Sequence, residues 1–124
     1  MILKLLLLMF LCHIVDDFVL QPVCLSKLKQ KEWWRTNYPD PLYKDDYKVA
    51  LAIHSLSWAI MIHLPFIFMT EVDGGIIWIT VILDALVHYT VDNEKANKHT
   101  LSLVADQMIH FLQIEITWFL LTLI

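Results

Sequence analysis

Histidine and aspartate occur four residues apart at three places in this chain, each time within an apolar segment. The pairs are His13 and Asp17, His88 and Asp92, and, in the reverse order, Asp106 and His110. On an α-helix, residues four apart share one face and lie about 6 Å from each other. Each pair therefore directs an imidazole and a carboxylate the same way, and this is a donor set that divalent Zn, Mn and Fe ions accept.

The apolar segments that carry these pairs have the length of membrane-spanning helices, about 17–25 residues. They cover residues 1–20, 48–70, 75–92 and 101–124. In an up-down bundle, the ends of the first and third helices lie beside the starts of the second and fourth. All the pairs, together with a histidine of the second segment, then fall in one layer. The predicted metal ligands are His13, Asp17, His54, His88, Asp92, Asp106 and His110.

Seven candidate ligands exceed the four of a structural zinc site and suit one or two divalent ions with open positions for water. The alternative is a metal-free network of Asp–His pairs that holds the helices together. Polar contacts between membrane helices contribute on average only about 0.6 kcal/mol each, whereas an aspartate at the centre of a bilayer costs about 2.5–3.5 kcal/mol. This comparison favours a metal site for Zn, Mn or Fe over the structural network.

Two further aspartates are candidates for a catalytic role. Asp84 shares the face of His88, one turn away, and is expected either to orient His88 or to accept a proton. Asp16 is the next residue to Asp17 but is turned about 100° from it on an α-helix. It is the other candidate proton acceptor.

Two polar residues lie out of phase with the candidate ligands on their own helices. His63 is nine residues from His54, half a turn away in direction, and is expected at a helix interface or facing lipid rather than at the metal. Glu115 is displaced in the same way from Asp106, and no role follows for it.

The composition favours an integral membrane protein. Of 124 residues, 58% are hydrophobic and 18% are charged, against about 45–50% and about 25% in soluble domains. The net charge of −4 argues against nucleic-acid binding, and two cysteines do not form a disulfide framework. We therefore expect an all-α polytopic membrane protein, a four-helix up-down bundle. A soluble bundle would need a polar face on every helix.

Lysine and arginine are concentrated in two connections, residues 22–47 and 93–100. By the positive-inside rule, both loops are predicted to be cytoplasmic in the inner (plasma) membrane, with both termini outside. The longer loop should contain a short interfacial helix that begins near Pro22. Three of its lysines are candidates for contact with anionic lipid headgroups, namely Lys27, Lys29 and Lys31. A bundle of this size is also compatible with homo-oligomerisation.

These motifs resemble a family of small bacterial and phage membrane proteins, domain of unknown function 3307. Its first signature, H-x-x-x-D-F-x-L-Q, is matched by residues 13–21, and its last, D-Q-x-x-H, by residues 106–110. A lone helical histidine, His54, and an H-x-x-x-D motif lie between them. The chain departs from the family at Trp58, where relatives often carry a second histidine, and in the length of its first polar loop. The resemblance covers all four helices and implies no activity.

The arrangement of histidines and aspartates is similar in style to that of small membrane-bound metal-dependent hydrolases. A layer near the cytoplasmic headgroups suggests a lipid or lipid-linked substrate. One alternative is a proton or metal-ion transporter or channel subunit, in which Asp84, His63 and Glu115 would have to face inward to extend a path. Another is a non-catalytic membrane interaction module with a structural His/Asp network.

Overall fold

The computed structural model describes residues 2–21 and 23–124. Met1 and Pro22 lie outside it, and so does the predicted placement of Pro22 at the start of a helix. The described residues contain no strand, and the prediction of an all-α protein is confirmed. The helices are α1 (Ile2–Ile14), α2 (Val23–Leu28), α3 (Lys31–Asn37), α4 (Asp46–Met69), α5 (Gly74–Asn93) and α6 (Leu103–Thr122).

Two of the long helices end in π-helical turns. Val15–Leu20 continues α1, and Glu94–Lys98 continues α5. In a π-helix each N–H bonds the carbonyl five residues back, which widens the turn. Such segments are rare and are often found at functional positions. Both segments here adjoin the layer that holds the predicted metal ligands.

The connection between α1 and α4 is a folded unit, with two short helices and a 3₁₀ turn at Pro41–Tyr43 where a single interfacial helix was predicted. The Trp34 indole Nε1–H donates to the Leu28 carbonyl at 2.8 Å and so ties α3 to the end of α2. The ring of Trp34 also contacts those of Tyr38 and Tyr43, with centroids 5.5 and 6.3 Å away. These contacts hold α2 and α3 against the start of α4.

Side chains at their N-termini start α5 and α6. The Asp73 carboxylate accepts hydrogen bonds from the backbone N–H groups of Gly75 and Ile76 at 2.9 and 3.2 Å. A Cβ atom at Gly75 would lie 2.9 Å from Asp73 Oδ1, so glycine permits this close approach. The Ser102 hydroxyl caps α6 in the same way, by accepting from the Ala105 N–H.

Helix α4 packs against α1, α2, α3 and α5, whereas α6 packs against α1 and α5. The apolar core includes Met9, Trp58, Ile62 and Phe66. Because α1 and α5 cover different sides of α4, residues half a turn apart on α4 are both buried. His63 is therefore fully buried, at a helix interface as expected and not facing lipid.

The outward faces of the long helices carry large apolar side chains. Leu7 of α1, Phe68 of α4, Ile79 of α5 and Leu112 of α6 are each more than half exposed. The buried residues include many polar and charged groups, so the usual distribution of polarity in a water-soluble bundle is reversed. Contiguous apolar surface of this kind marks contact with a membrane or with another protein.

Two stretches of the described chain, Pro41–Met69 and Gly74–Lys98, are long and apolar enough to cross a bilayer. The sequence predicted four such spans. The first predicted span, Ile2–Leu20, is not apolar enough to count as a candidate, because it includes Lys4, Asp16 and Asp17. The last falls short because α6 carries an aspartate, a glutamate, two glutamines and a histidine. The polar residues that weaken both segments as candidate spans are largely those of the buried site.

Removal of buried volume from the apolar core tests this packing. Ile62→Ala should lower the free energy of unfolding by about 2–5 kcal/mol, because Ile62 is fully buried and its side chain leaves a cavity. The control is Ile53→Ala on the same helix, whose side chain is 62% exposed. That change should cost less than about 0.5 kcal/mol. Equal losses for the two variants, measured by denaturant unfolding in detergent, would contradict the assigned faces of α4.

Candidate metal centre

All seven predicted ligands lie in one layer at the end of the bundle where α1 and α5 end and α4 and α6 begin. Short contacts connect them in a single network, from His13 through Asp17 to His54, and from His54 to His88. The ring of His88 in turn stacks on that of His110, with centroids 4.2 Å apart. The remaining two contacts join His54 to Asp92 and His110 to Asp106.

His54 lies at the centre of this network. Its Nε2 atom is 3.2 Å from His88 Nε2, 3.5 Å from Asp17 Oδ1 and 3.6 Å from Asp92 Oδ2. Ligand atoms of Asp17, His54 and His88 all lie within 4.8 Å of one another, so these three residues could hold a metal ion. For a tetrahedral ion with bonds of about 2.0–2.1 Å, two ligand atoms are separated by about 3.4 Å. The observed separations around His54 are close to that value.

Several polar atoms of this group are buried without a hydrogen-bond partner among the described residues. They include Asp17 Oδ1 and His88 Nδ1. The two Nε2 atoms of His54 and His88 also face each other, so at least one of them needs a proton or a cation nearby. Unpaired buried polar groups are costly and usually have a partner, an ion or a water molecule. A cation beside Asp17 and between the two imidazoles would satisfy Asp17 Oδ1 and both Nε2 atoms, and would leave His88 Nδ1 to another partner.

Two lysines enter the layer, and the sequence analysis placed neither of them there. The Lys29 Nζ donates to Asp92 Oδ2 at 2.6 Å and to Gln21 Oε1 at 3.2 Å. Lys29 is only 5% exposed, so it does not lie on the outer surface where contact with lipid headgroups was expected. The Lys95 Nζ donates to Asp106 Oδ2 at 2.7 Å, and the π-helical turn that follows α5 carries it.

His13 is already engaged on both ring nitrogens. The Trp58 indole Nε1–H points at His13 Nδ1 from 2.7 Å, and His13 Nε2 is 3.0 Å from Gln107 Oε1. Indole nitrogen only donates, so Nδ1 accepts and Nε2 carries the hydrogen that goes to Gln107. Trp58 thus uses the lone pair with which His13 would bind a metal.

Asp16 is buried in the site, although an α-helical geometry turns it away from Asp17. The π-helical segment reduces the rotation between neighbours, so both aspartates reach His54. Asp16 Oδ1 accepts from the Ser57 hydroxyl at 3.0 Å, and Asp16 Oδ2 lies 3.9 Å from His54 Nδ1. Its position beside the outer nitrogen of His54 suits a residue that orients that ring.

The Asp84 carboxylate forms no hydrogen bond or ion pair with the His88 ring among the described residues, contrary to the expectation that it orients that ring. Its carboxylate accepts from Gln113 Nε2 and Thr117 Oγ1, both at 2.7 Å. It lies 3.7 Å from His63 Nε2, so these residues form a separate polar cluster. Glu115 is on the exposed face of α6 and belongs to neither group.

Asn97 joins the two connections at this end of the bundle. Its Oδ1 accepts from the backbone N–H of Lys31 at 2.6 Å, and its Nδ2 donates to the backbone carbonyl of Lys29 at 3.0 Å. One side chain from the turn after α5 thereby fixes the backbone on both sides of the α2–α3 junction. This contact holds Lys29 over the metal layer.

The charges of the layer do not balance within the described residues. Four carboxylates meet there, of which Asp92 and Asp106 each pair with a lysine. Asp16 and Asp17 remain, and neither pairs with a lysine or arginine among the described residues; the nearest basic side chain to both is the His54 imidazole. Two negative charges in a buried site require compensation. One divalent cation would supply it.

The structure thus defines an all-helical bundle with a buried His/Asp cluster that could hold a metal ion. The chain belongs to the family described as "Protein of unknown function (DUF3307)", whose profile matches residues 5–124. This confirms the resemblance found in the sequence motifs. No curated protein and no solved structure matches the chain.

The Lys29–Asp92 pair should contribute strongly to stability. Both side chains are about 5% exposed, and loss of one partner of a buried pair costs about 3–5 kcal/mol. Lys29→Met should therefore lower the free energy of unfolding by that amount in chelator-treated protein, because Asp92 is left without its cation. Lys27→Met, at an exposed position of the same connection, is the matched control. The double variant Lys29→Met/Asp92→Asn should recover part of the loss, and no recovery would argue against the pairing.

Proposed function

We propose that the chain is an integral membrane protein that binds one divalent transition-metal ion through Asp17, His54 and His88. We further propose that it hydrolyses a lipid or lipid-linked substrate there. The observation that carries the proposal is the group of three ligand atoms within 4.8 Å of one another. Two histidines and one carboxylate are the ligand set of several catalytic Zn and Fe sites.

Lys29 supports a catalytic over a structural site. Asp92 Oδ2 is 3.6 Å from His54 Nε2 and would be a fourth ligand, but it also accepts the 2.6 Å hydrogen bond from Lys29 Nζ. While that pair persists, only three protein ligands are available. A metal with three protein ligands keeps a position open for water or substrate, which is typical of catalytic zinc.

The charge balance supports one ion rather than two. Four carboxylates and two lysines leave two negative charges in the layer, and a single divalent ion cancels them. A second ion would leave a buried excess of positive charge. The pairing of Asp92 and Asp106 with lysines also removes the carboxylates that a second ion would need.

A metal ion in this site would activate water and polarise a phosphoryl or acyl oxygen of the substrate. Two residues of the chain would have distinct roles in this reaction. Asp16 lies next to His54 Nδ1 and would keep the opposite nitrogen directed at the metal. Lys29, whose ammonium lies beside Asp92, would contact a negatively charged substrate group that reaches the layer.

Membrane insertion is supported by the exposed apolar faces of all four long helices and by the two candidate spans. The lysine-rich connections would face the cytoplasm and both termini the outside, in a multi-pass arrangement of the plasma membrane. The metal layer would then lie close to the cytoplasmic headgroups. Lys27 and Lys31, which are exposed, remain candidates for contact with anionic lipid.

Metal content tests the site directly. Protein purified in detergent should contain about one Zn, Mn or Fe ion per chain by elemental mass spectrometry. His54→Ala and His88→Ala should each reduce that content at least about tenfold, because each removes one of only three ligands. His63→Ala removes an equally buried histidine outside the site and should retain the metal.

Metal in the parent and in all three variants would contradict the proposed ligand set. Two ions per chain would contradict the charge balance that favours a single ion. If the metal is present as proposed, the parent is incubated with mixed lipid vesicles in H₂¹⁸O. Hydrolysis should incorporate the label into a lipid product, and His88→Ala should not. Loaded protein that releases no labelled product from phospholipid, glycolipid and lipid-phosphate vesicles would rule against the hydrolase.

The native cysteines report the orientation. Cys24 is exposed on α2, in the connection proposed to be cytoplasmic, and Cys12→Ser leaves it as the only thiol. A membrane-impermeant maleimide should label this variant in inverted vesicles and not in right-side-out vesicles. The matched control carries Ile124→Cys with Cys12→Ser and Cys24→Ser, and should show the opposite pattern. Labelling of both thiols from the same side would contradict the topology.

A further inference from the structure

A second polar cluster lies inside the bundle, nearer the start of α5 and the end of α6 than the metal layer. It consists of His63 from α4, Thr80 and Asp84 from α5, and Gln113 and Thr117 from α6. His63 and Asp84 are 0% and 6% exposed. Neither contacts a proposed metal ligand among the described residues, and neither has a part in the proposed hydrolysis.

The cluster contains one carboxylate and one imidazole, and among the described residues no other charged side chain pairs with either. His63 Nε2 is 3.7 Å from Asp84 Oδ2. Asp84 accepts further hydrogen bonds only from neutral groups, Gln113 Nε2 and Thr117 Oγ1. A lone buried carboxylate is costly. The pair therefore needs one added proton, either on the carboxyl group or on the imidazole.

The hydrogen bonds of His63 can be satisfied both with and without the added proton. His63 Nδ1 lies 2.7 Å from the Ala59 carbonyl, which only accepts, so Nδ1 keeps its hydrogen. His63 Nε2 lies 3.0 Å from Thr80 Oγ1, and that hydroxyl also reaches the Ile77 carbonyl at 2.9 Å. The hydroxyl can donate to a neutral Nε2, or donate to the carbonyl and accept from a protonated Nε2.

The hydrogen bonds of Asp84 have the same property. The Thr117 hydroxyl donates to the carboxylate at 2.7 Å, and after rotation it would accept from a protonated carboxyl group. Gln113 is 7% exposed, and its Oε1 atom has no partner among the described residues. This buried amide oxygen is available to a further donor, such as a water molecule that brings or removes a proton.

Other ionisable groups are remote from the pair or turned away from it. On α6, Glu115 faces outward and His110 lies towards the metal layer, as does His88 on α5. Helix α1 contributes the apolar Leu5 and Met9 to the neighbouring core. Asp84, Gln113 and Thr117 also line a surface groove between α5 and α6, with walls that include Val87, Leu112 and Ile116. The groove brings the cluster close to the apolar outer faces of α5 and α6.

We propose that Asp84 and His63 form a proton-binding site, which takes up and releases one proton while the bundle stays folded. Uptake forms an O–H bond at Asp84 or an N–H bond at His63 Nε2, and release returns the proton to water. The site is independent of the metal and of the proposed hydrolysis. Its chemistry is that of proton-handling carboxylate–histidine pairs inside membrane proteins.

Infrared difference spectroscopy of the full-length protein in lipid nanodiscs tests the site. The parent should show a protonated-carboxyl band that changes with pH and shifts in D₂O. Asp84→Asn should lose that band, whereas Glu115→Gln, which removes an exposed carboxylate of α6, should keep it. In His63→Gln the midpoint of the band should move by about one pH unit or more, as expected for coupled groups.

A pH-dependent band that survives in Asp84→Asn, or an Asp84 band that does not change over the pH range in which the protein stays folded, would overturn the proposal. Should Asp84→Asn fail to fold, Asp84→Glu is used, which should displace the band rather than remove it. Metal content is measured on the same samples. It should be unchanged in Asp84→Asn, so failure of the proton site is distinguished from failure of the metal site.

Discussion

A carboxylate that is shielded from water has to lie next to positive charge or take up a proton, and this requirement governs the end of the bundle where α1 and α5 finish. Asp16, Asp17, Asp92 and Asp106 converge there, inside a bundle whose outer surface is apolar. The chain supplies ammonium groups to two of them and imidazoles to all. The remaining charge is the reason that a bound cation accounts for the layer better than a network of Asp–His pairs alone.

The same requirement explains why the connections at this end are folded. An ammonium group reaches Asp92 only if the backbone at Lys29 is held over the layer, and α2, α3 and the Asn97 contacts hold it there. An ammonium group reaches Asp106 because the turn after α5 is π-helical and directs Lys95 back to the bundle. Loop structure and helix termination are thus part of the electrostatics of the site.

The sequence was sufficient for the features that depend on local spacing. Residues four apart on a helix share a face, so the convergence of His13, Asp17, His88 and Asp92 followed from their positions, and α-helical content followed from the apolar segments. Lys29 could not be placed in the same way, because its contact with Asp92 spans 63 residues and leaves no periodic signal. An excess of buried carboxylates was the one available indication that lysines would be needed.

Assumption of a uniform α-helix produced another difference, since it turned Asp16 away from Asp17. The π-helical segment Val15–Leu20 has a consequence for sequence change in this protein. Such a segment accommodates one more residue than the α-helical turn it replaces. Deletion of a single residue there would restore a regular α-helical turn, in which Asp16 and Asp17 would be turned about 100° from each other and could not both reach His54. The bundle would tolerate a chain shorter by one residue at this point, whereas the geometry of the metal ligands would not.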